Sequence, residues 1–212
     1  MIKSDFNIYC WNANSINNKF EEIILALHEN KIDILAINET KINEIDEKRF
    51  YDNNYSCIFK SRNRHGGGVG FLIKKEIEFL LINDLNKYPT ECLCIKININ
   101  GKEIVVVNYY NSPSCVLCHE MLDYINNNYK NYIICGDLNS KSVDIGCKET
   151  NNNGKILLDF LVNSRAIVLN NSEPTFFRDN ANYTEILDLF ICSNSLYKSV
   201  VKFELLELII IL

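Results

Sequence analysis

The 212-residue chain lacks a surplus of positive charge, a long apolar run and a cluster of histidines, and each absence excludes something. Lys and Arg number 22 against 27 Asp and Glu, a formal net charge of -5, so no bulk basic field draws the protein to a polyanion. That weighs against a simple nucleic-acid-binding module, but it is compatible with an enzyme whose carboxylates surround a metal ion inside a local basic rim. Residues 1–5 open no apolar stretch of the kind a secretory signal needs. The closing run 205–212 is far shorter than the roughly 20 apolar residues of a membrane span. A soluble, intracellular, non-secreted protein with no membrane association is therefore expected. No linker, repeat or long low-complexity tract interrupts the chain, and its 47% hydrophobic and 23% charged residues are an ordinary globular balance, so residues 1–212 read as one domain. The nine cysteines are odd in number and sit in apolar runs such as 133–135 and 190–192. They read as small buried hydrophobes in a reducing compartment, not as a disulfide framework.

What is present is a succession of short Ile-, Val-, Tyr- and Cys-rich runs bounded by Asn, Gly and Asp, with helical spacing between some of them. The pattern predicts strands over 6–11, 32–37, 55–60, 69–73, 93–99, 104–109, 132–135, 166–169 and 186–192, with a further one at 200–206. Helices are predicted over 19–29, where Phe20, Ile23, Ile24 and Leu27 share a face, and over 115–126 and 154–163. About ten strands and three helices imply an α/β fold, two sheets packed face to face with helices outside.

Acids and amides recur where these strands end. Residues 8–11 run into Asn12-Ala13-Asn14, residues 34–37 into Asn38-Glu39-Thr40-Lys41, residues 133–136 into Asp137-Leu138-Asn139, and residues 186–187 into Asp188. Taken singly, each is explained equally well by turn chemistry, which favours Asn, Asp and Gly. As a set, they are groups that a rigid scaffold could present to one cleft. Several carboxylates buried together need a compensating cation or hydrogen bonds. Oxygen ligands without a His/Cys cluster suit Mg²⁺ or Mn²⁺ better than zinc.

Trp11-Asn12-Ala13-Asn14-Ser15, Asn38-Glu39-Thr40-Lys41, Asn108-Tyr109-Tyr110, Gly136-Asp137-Leu138-Asn139 and Leu187-Asp188-Leu189-Phe190 resemble, in this order, the motifs of the endonuclease/exonuclease/phosphatase superfamily. The similarity spans roughly residues 8–196. Glu39-Thr40-Lys41 is similar to the exonuclease III and AP-endonuclease branch. Trp11 to Ser15 and the glycine run Gly66 to Gly70 are more similar to the endonuclease domains of non-LTR retrotransposons. The resemblance implies a four-layered α/β sandwich of two mostly antiparallel sheets, a divalent metal (Mg²⁺ or Mn²⁺), and hydrolysis of DNA phosphodiesters. It also implies a reverse transcriptase in the parent element, a nuclear location and a monomer. By the same resemblance, Glu39 holds the metal and Asn12 contacts the scissile phosphate or the metal shell. Asn14 stands where some relatives have a metal-assisting aspartate. Asp137 orients or deprotonates the attacking water, Asn139 and Tyr110 contact the phosphate, and Asp188 matches the acid that orients a histidine. Metal, amide and phenol donors to stabilise charge, with a carboxylate to activate water, are a coherent set for phosphodiester cleavage.

The family's closing Ser-Asp-His does not follow the Asp188 motif, and His28, His65 and His119 stand elsewhere. The expectation for this chain is an altered last strand and impaired cleavage. Two rival readings follow: an inert remnant that at most binds DNA, and a phosphatase-type member of the same superfamily. Arg62, Arg64, Lys41 and Lys74 are candidate contacts to the DNA backbone, although a solvated hairpin explains the charges around the glycine run as well. That run reads as a tight turn, since no Lys-Ser/Thr signature follows to make it a phosphate loop. Cys115-Val116-Leu117-Cys118-His119 matches a haem-attachment pattern, and zinc could be drawn from it with Cys92 and Cys94. Chance cysteines in a helix and a strand are the simpler account.

Overall fold

The computed structural model describes residues 6–178 and 183–204. Four strands, β1 (Ile8–Asn12), β2 (Ile34–Asn38), β3 (Tyr55–Lys60) and β4 (Val69–Lys74), form one sheet in the order β1-β2-β4-β3. Six more, β5 (Phe79–Leu81), β6 (Glu91–Ile99), β7 (Lys102–Tyr110), β8 (Tyr132–Asp137), β9 (Ile167–Val168) and β12 (Asp188–Cys192), form the second in the order β5-β6-β7-β8-β12-β9. Between β9 and β12, β10 (Phe176–Arg178) and β11 (Tyr183–Glu185) make a separate antiparallel ribbon. Each large sheet has one parallel pair, β1 with β2 and β7 with β8, among antiparallel neighbours. The helices are α1 (Phe20–Glu29), α2 (His119–Asn128), α3 (Asn152–Ser164) and the short α4 (Asn194–Tyr197).

Side-chain alternation along the strands decides the layers, because successive residues point to opposite faces. In β2, Ile34 and Ala36 pack with Val69, Phe71 and Ile73 of β4 against Ile95, Val106 and Cys135 of the second sheet, which makes the core between the sheets. Leu35 and Ile37 point outward to Ile23 and Leu27 of α1. On the second sheet, Val105, Val107, Ile134, Leu189 and Ile191 face Met121, Leu122, Ile125, Leu157 and Phe160 of α2 and α3. The four layers are helix, sheet, sheet, helix. Both faces of each sheet are covered, which is why the strand runs are nearly continuously apolar.

The β3 boundaries match the sequence expectation; β4, β6, β7 and β8 extend it by one to three residues, β1 and β2 begin two residues later and end one later, and β9 and β12 are each two residues shorter. α2 begins at His119, four residues later than expected. The Asn153 side chain takes the Leu117 N–H at 2.9 Å and donates to the Cys115 carbonyl at 3.0 Å, satisfying that backbone outside a helix. β5, β10, β11 and α4 were not foreseen; they are too short to show a period. The strand expected at 200–206 is absent over 200–204, where Phe203 packs edge-on against Phe190 with ring centroids 5.8 Å apart. The rest of that strand, and the closing run 205–212, lie outside the described residues. All nine cysteines are free, with Cys92, Cys94, Cys135, Cys147 and Cys192 buried. Among the described residues no helix is long and apolar enough to cross a membrane.

Register brings the polar strand ends together. On the first sheet, Asn12 pairs with Asn38, Asn38 with Val69, and Val69 with Lys60. On the second, Asn108 lies beside Cys135 and Asp137 opposite Asp188, so Tyr110 and Asp137 reach the same end.

Candidate active site

Glu39 leaves β2 from the first sheet, while Tyr110, Asp137 and Asp188 come from three adjacent strands of the second. Asn12, the last residue of β1, spans the gap: its Nδ2 donates to Glu39 Oε1 at 3.3 Å and to Asp137 Oδ2 at 2.9 Å. The Tyr110 hydroxyl donates to Glu39 Oε1 at 3.0 Å. Asn139 reaches Asp137 Oδ1 twice, from its backbone N–H at 3.1 Å and from its Nδ2 at 2.7 Å. The loops that present these groups are strained. Asn14, Glu39, Lys41 and Asn139 have φ of 44°, 51°, 51° and 46°, a left-handed conformation that L-residues rarely hold unless their surroundings impose it.

Electrostatics sorts the three acids. Burial pushes Asp137 up to about 6, with the Glu39 charge adding and hydrogen bonds from Asn12 and Asn139 opposing. Burial and then the Asp137 charge push Asp188 up to about 7, against a hydrogen bond from Thr175. Glu39 goes the other way: burial raises it, but hydrogen bonds from Lys41, Asn12 and Tyr110 outweigh that and hold it below the usual range. Burial and the Glu39 charge raise the Tyr110 phenol, so it stays a donor. Asp188 Oδ1 is buried and has no hydrogen-bond partner among the described residues.

This donor set fits a hard divalent cation. It offers carboxylate and amide oxygens without sulfur or imidazole, one acid already ionised, two pushed toward neutrality chiefly by burial, and one oxygen without a partner among the described residues. Among the described residues no group of three or more His, Cys, Asp or Glu forms a ready metal cage. The same result removes the zinc reading of Cys92, Cys94, Cys115, Cys118 and His119.

Other expected site residues are placed differently. Asn14 turns its Oδ1 to the Lys41 ammonium and not toward the acids, and Lys41 also pairs with Glu39 Oε2 at 3.0 Å. Arg62 is clasped by Glu91 and donates to the Gly66 carbonyl at 2.8 Å. Arg64 makes a two-pronged pair with Asp46, both contacts at 2.8 Å. Lys74 is at the opposite end of β4 from the site, bound to Asp33 at 3.0 Å, and the structure does not bring it to the acids. The extended rise of β4 carries the chain from Val69 at the site to Lys74 at the far edge, which charge counting around a glycine run does not register. Exposed His28 lies against Tyr55 at that far end, and His119 pairs with Asp123 on α2 at 3.1 Å.

The sequence reading missed a scaffold of buried amides. Asn38, Asn108 and Asn111 are buried beside the acids, and Asn111 accepts from Asn139 Nδ2 at 2.9 Å through its carbonyl. Asn151 caps α3 by accepting the Gly154 N–H at 2.7 Å, and its Nδ2 donates to the Asn139 carbonyl at 2.9 Å. The signal available was Asn108, an amide inside an otherwise apolar strand.

A model of the Endonuclease/Exonuclease/phosphatase family matches residues 10–208. The chain belongs to that family. An Endonuclease/Exonuclease/phosphatase protein by family is a phosphoester hydrolase, and the structural neighbours on this fold include endonucleases. The endonuclease domain of TRAS1, a telomere-specific non-LTR retrotransposon, superimposes with a TM-score of 0.75 at 18% identity, covering 92% of this chain and 88% of that one. An AP endonuclease from Archaeoglobus fulgidus gives 0.66 at 19% identity, with 92% and 89% covered. In sequence, a probable RNA-directed DNA polymerase from transposon BS of Drosophila melanogaster is 23% identical over 171 residues. That match takes in 79% of this chain and 19% of the curated relative, so the chain spans about a fifth of its length.

Proposed function

We infer that this chain is a metal-dependent DNA endonuclease that nicks one strand by hydrolysing a phosphodiester, and that it comes from a non-LTR retrotransposon-like element whose reverse transcriptase is a natural partner. The observation that carries the reading is the Asn12 amide bridging Glu39 and Asp137 across the ends of the two sheets. When bound at Glu39, Mg²⁺ or Mn²⁺ would supply charge neutralisation at the phosphate. The residues do the rest. Asp137, raised toward neutrality and oriented by Asn139, accepts the proton of an attacking water. Asn12, Asn139 and the Tyr110 hydroxyl are preorganised donors that can turn to phosphate oxygens as charge develops there. Asp188, opposite Asp137, is itself pushed toward neutrality by burial and by the Asp137 charge. The donors act as a monomer's own set.

DNA reaches the site through the local cation Lys41, with Arg62 and Arg64 available where a phosphate competes with Glu91 and Asp46. Supercoiled plasmid with Mg²⁺ tests the reading: nicking by the wild-type chain that falls about 100-fold or more in Glu39→Ala supports it. Nicking that survives the substitution in a folded protein, or phosphate release from monoesters without DNA cleavage, refutes it. The unpartnered Asp188 Oδ1 favours one second reading, a site that grips DNA but turns over slowly. DNA retention with metal and no cleavage distinguishes that reading.

A further inference from the structure

Asn38 and Asn108 are both 0% exposed, between the two sheets. An amide buried there without partners would be strongly destabilising, yet neither side chain is left with an unpaired atom. Asn38 Oδ1 accepts the backbone N–H of Asp137 at 2.8 Å, and Asn38 Nδ2 donates to Asn108 Oδ1 at 2.6 Å. Asn108 Nδ2 in turn donates to the carbonyls of Ile37 at 3.0 Å and Gly70 at 2.8 Å. Ile37 and Gly70 are register partners of β2 and β4, so an amide from the second sheet plugs into the ladder of the first. Gly136 allows the approach: a Cβ there would fall 2.0 Å from the Tyr109 carbonyl oxygen and 3.0 Å from Asn38 Oδ1.

The surrounding contacts between the sheets are apolar: Ala36, Val69, Phe71, Val106 and Cys135. Such contacts are non-directional and tolerate small sliding movements. Hydrogen bonds are directional and do not. Glu39 follows Asn38 in the chain, and Asp137 hangs by its own N–H from Asn38. We propose that Asn38 and Asn108 form a positioning clasp that sets the separation of the Glu39 and Asp137 carboxylates, one on each sheet, and through it the size of divalent cation the site accepts. The second half of this proposal rests on the nuclease reading above; the clasp itself does not. Neither asparagine touches the reacting groups through its side chain, so both are positioning residues. Mg²⁺ demands a small, nearly ideal octahedral shell while Ca²⁺ tolerates a wider and looser one, so releasing the clasp shifts selectivity toward Ca²⁺.

The test uses the 212-residue chain and the variants Asn38→Ala and Asn108→Ala. In metal-free protein, hydrogen exchange at the Asp137 amide is expected to speed up about tenfold or more in both, while the Leu72 and Ile191 amides remain protected. The Asn108 variant is decisive, because Asn108 does not contact that amide. Calorimetric titration with Mg²⁺ and Ca²⁺ separately is expected to show the affinity ratio falling about tenfold, with kcat reduced and KM for DNA unchanged. Folded variants with wild-type exchange at Asp137 overturn the clasp, and an unchanged cation ratio overturns the selectivity. Should Asn108→Ala not fold, Asn108→Ser keeps a donor and takes the same measurements. A wild-type chain that binds neither cation and nicks nothing sinks the nuclease reading and the selectivity with it, while the exchange measurement still decides the clasp.

Discussion

In the proposed reaction Asp137 carries the heaviest chemical demand of any single residue, since it must be ionised to take a proton and yet sits where burial and Glu39 favour its neutral form. With its pKa pushed up to about 6, nicking should rise with pH through that region as the carboxylate forms. A cation beside it favours the ionised form, so the acid limb of the pH–rate profile should move to lower pH as Mg²⁺ concentration increases. A limb that stays put at every Mg²⁺ concentration argues that some other group titrates. Asp137→Asn keeps the shape and an oxygen for the two Asn139 donors, but it removes the proton acceptor and turns a donor toward Asn12 Nδ2. It should reduce kcat by about 100-fold with little change in stability, checked by nicking rates alongside thermal unfolding. Asn14 shows the residue scale from the other side. An aspartate there would face Lys41 and add a charge to the site, whereas the asparagine present is a neutral partner for that ammonium.

At the scale of elements, β8 matters most, because it must deliver Asp137 while passing under both β7 and the Asn38 side chain. Gly136 makes that passage possible, with φ of 140° and no room for a side chain. Gly136→Ala should therefore destabilise the protein by about 3 kcal/mol or more, since backbone, not a movable side chain, stands in the way. Gly101 is the control: it has φ of 79° in the β6–β7 turn, and a Cβ added there would meet nothing within 4 Å, so alanine carries only conformational strain, about 1 kcal/mol. Urea unfolding of the two variants side by side checks the contrast, and equal losses would mean that the close approach at Gly136 is not a real constraint. The Asn151 cap ties α3 to the Asn139 loop in the same fashion, so a helix end supports the loop that carries Asn139.

For the whole molecule, the three acids set a pH dependence of stability in the absence of metal. Asp137 and Asp188 have folded-state values near 6 and 7 against an ordinary 3.8, so the folded protein binds their protons more tightly than the unfolded chain does. Their contribution is full below about pH 4 and is lost as pH rises toward 7. Glu39, held low, contributes in the opposite sense, losing its share as pH falls below its ordinary 4.5. Metal-free protein should therefore melt at a lower temperature at pH 8 than at pH 5, and Mg²⁺ should raise the pH 8 melting point more than the pH 5 one. Scanning calorimetry in chelator and in Mg²⁺ at both values checks this; an equal rise at both would mean that the cation binds away from these acids.

Local pattern and composition determined a good deal unaided. Apolar runs bounded by turn residues specified most strands and all three long helices, because period and punctuation are properties of neighbouring residues. The ordered polar strand ends of Asn12, Glu39, Asp137, Asn139 and Asp188 pointed to one site. Other features depended on register between segments distant in the chain. Lys74 was sent to the far end of β4, Asn14 was turned to Lys41, and Arg62 and Arg64 were given to Glu91 and Asp46. Asn38 and Asn108 became the clasp between the sheets for the same reason: a side chain's partner is fixed by which strands pair and by which face it occupies. That is a property of the packed sandwich, which no single run of residues carries.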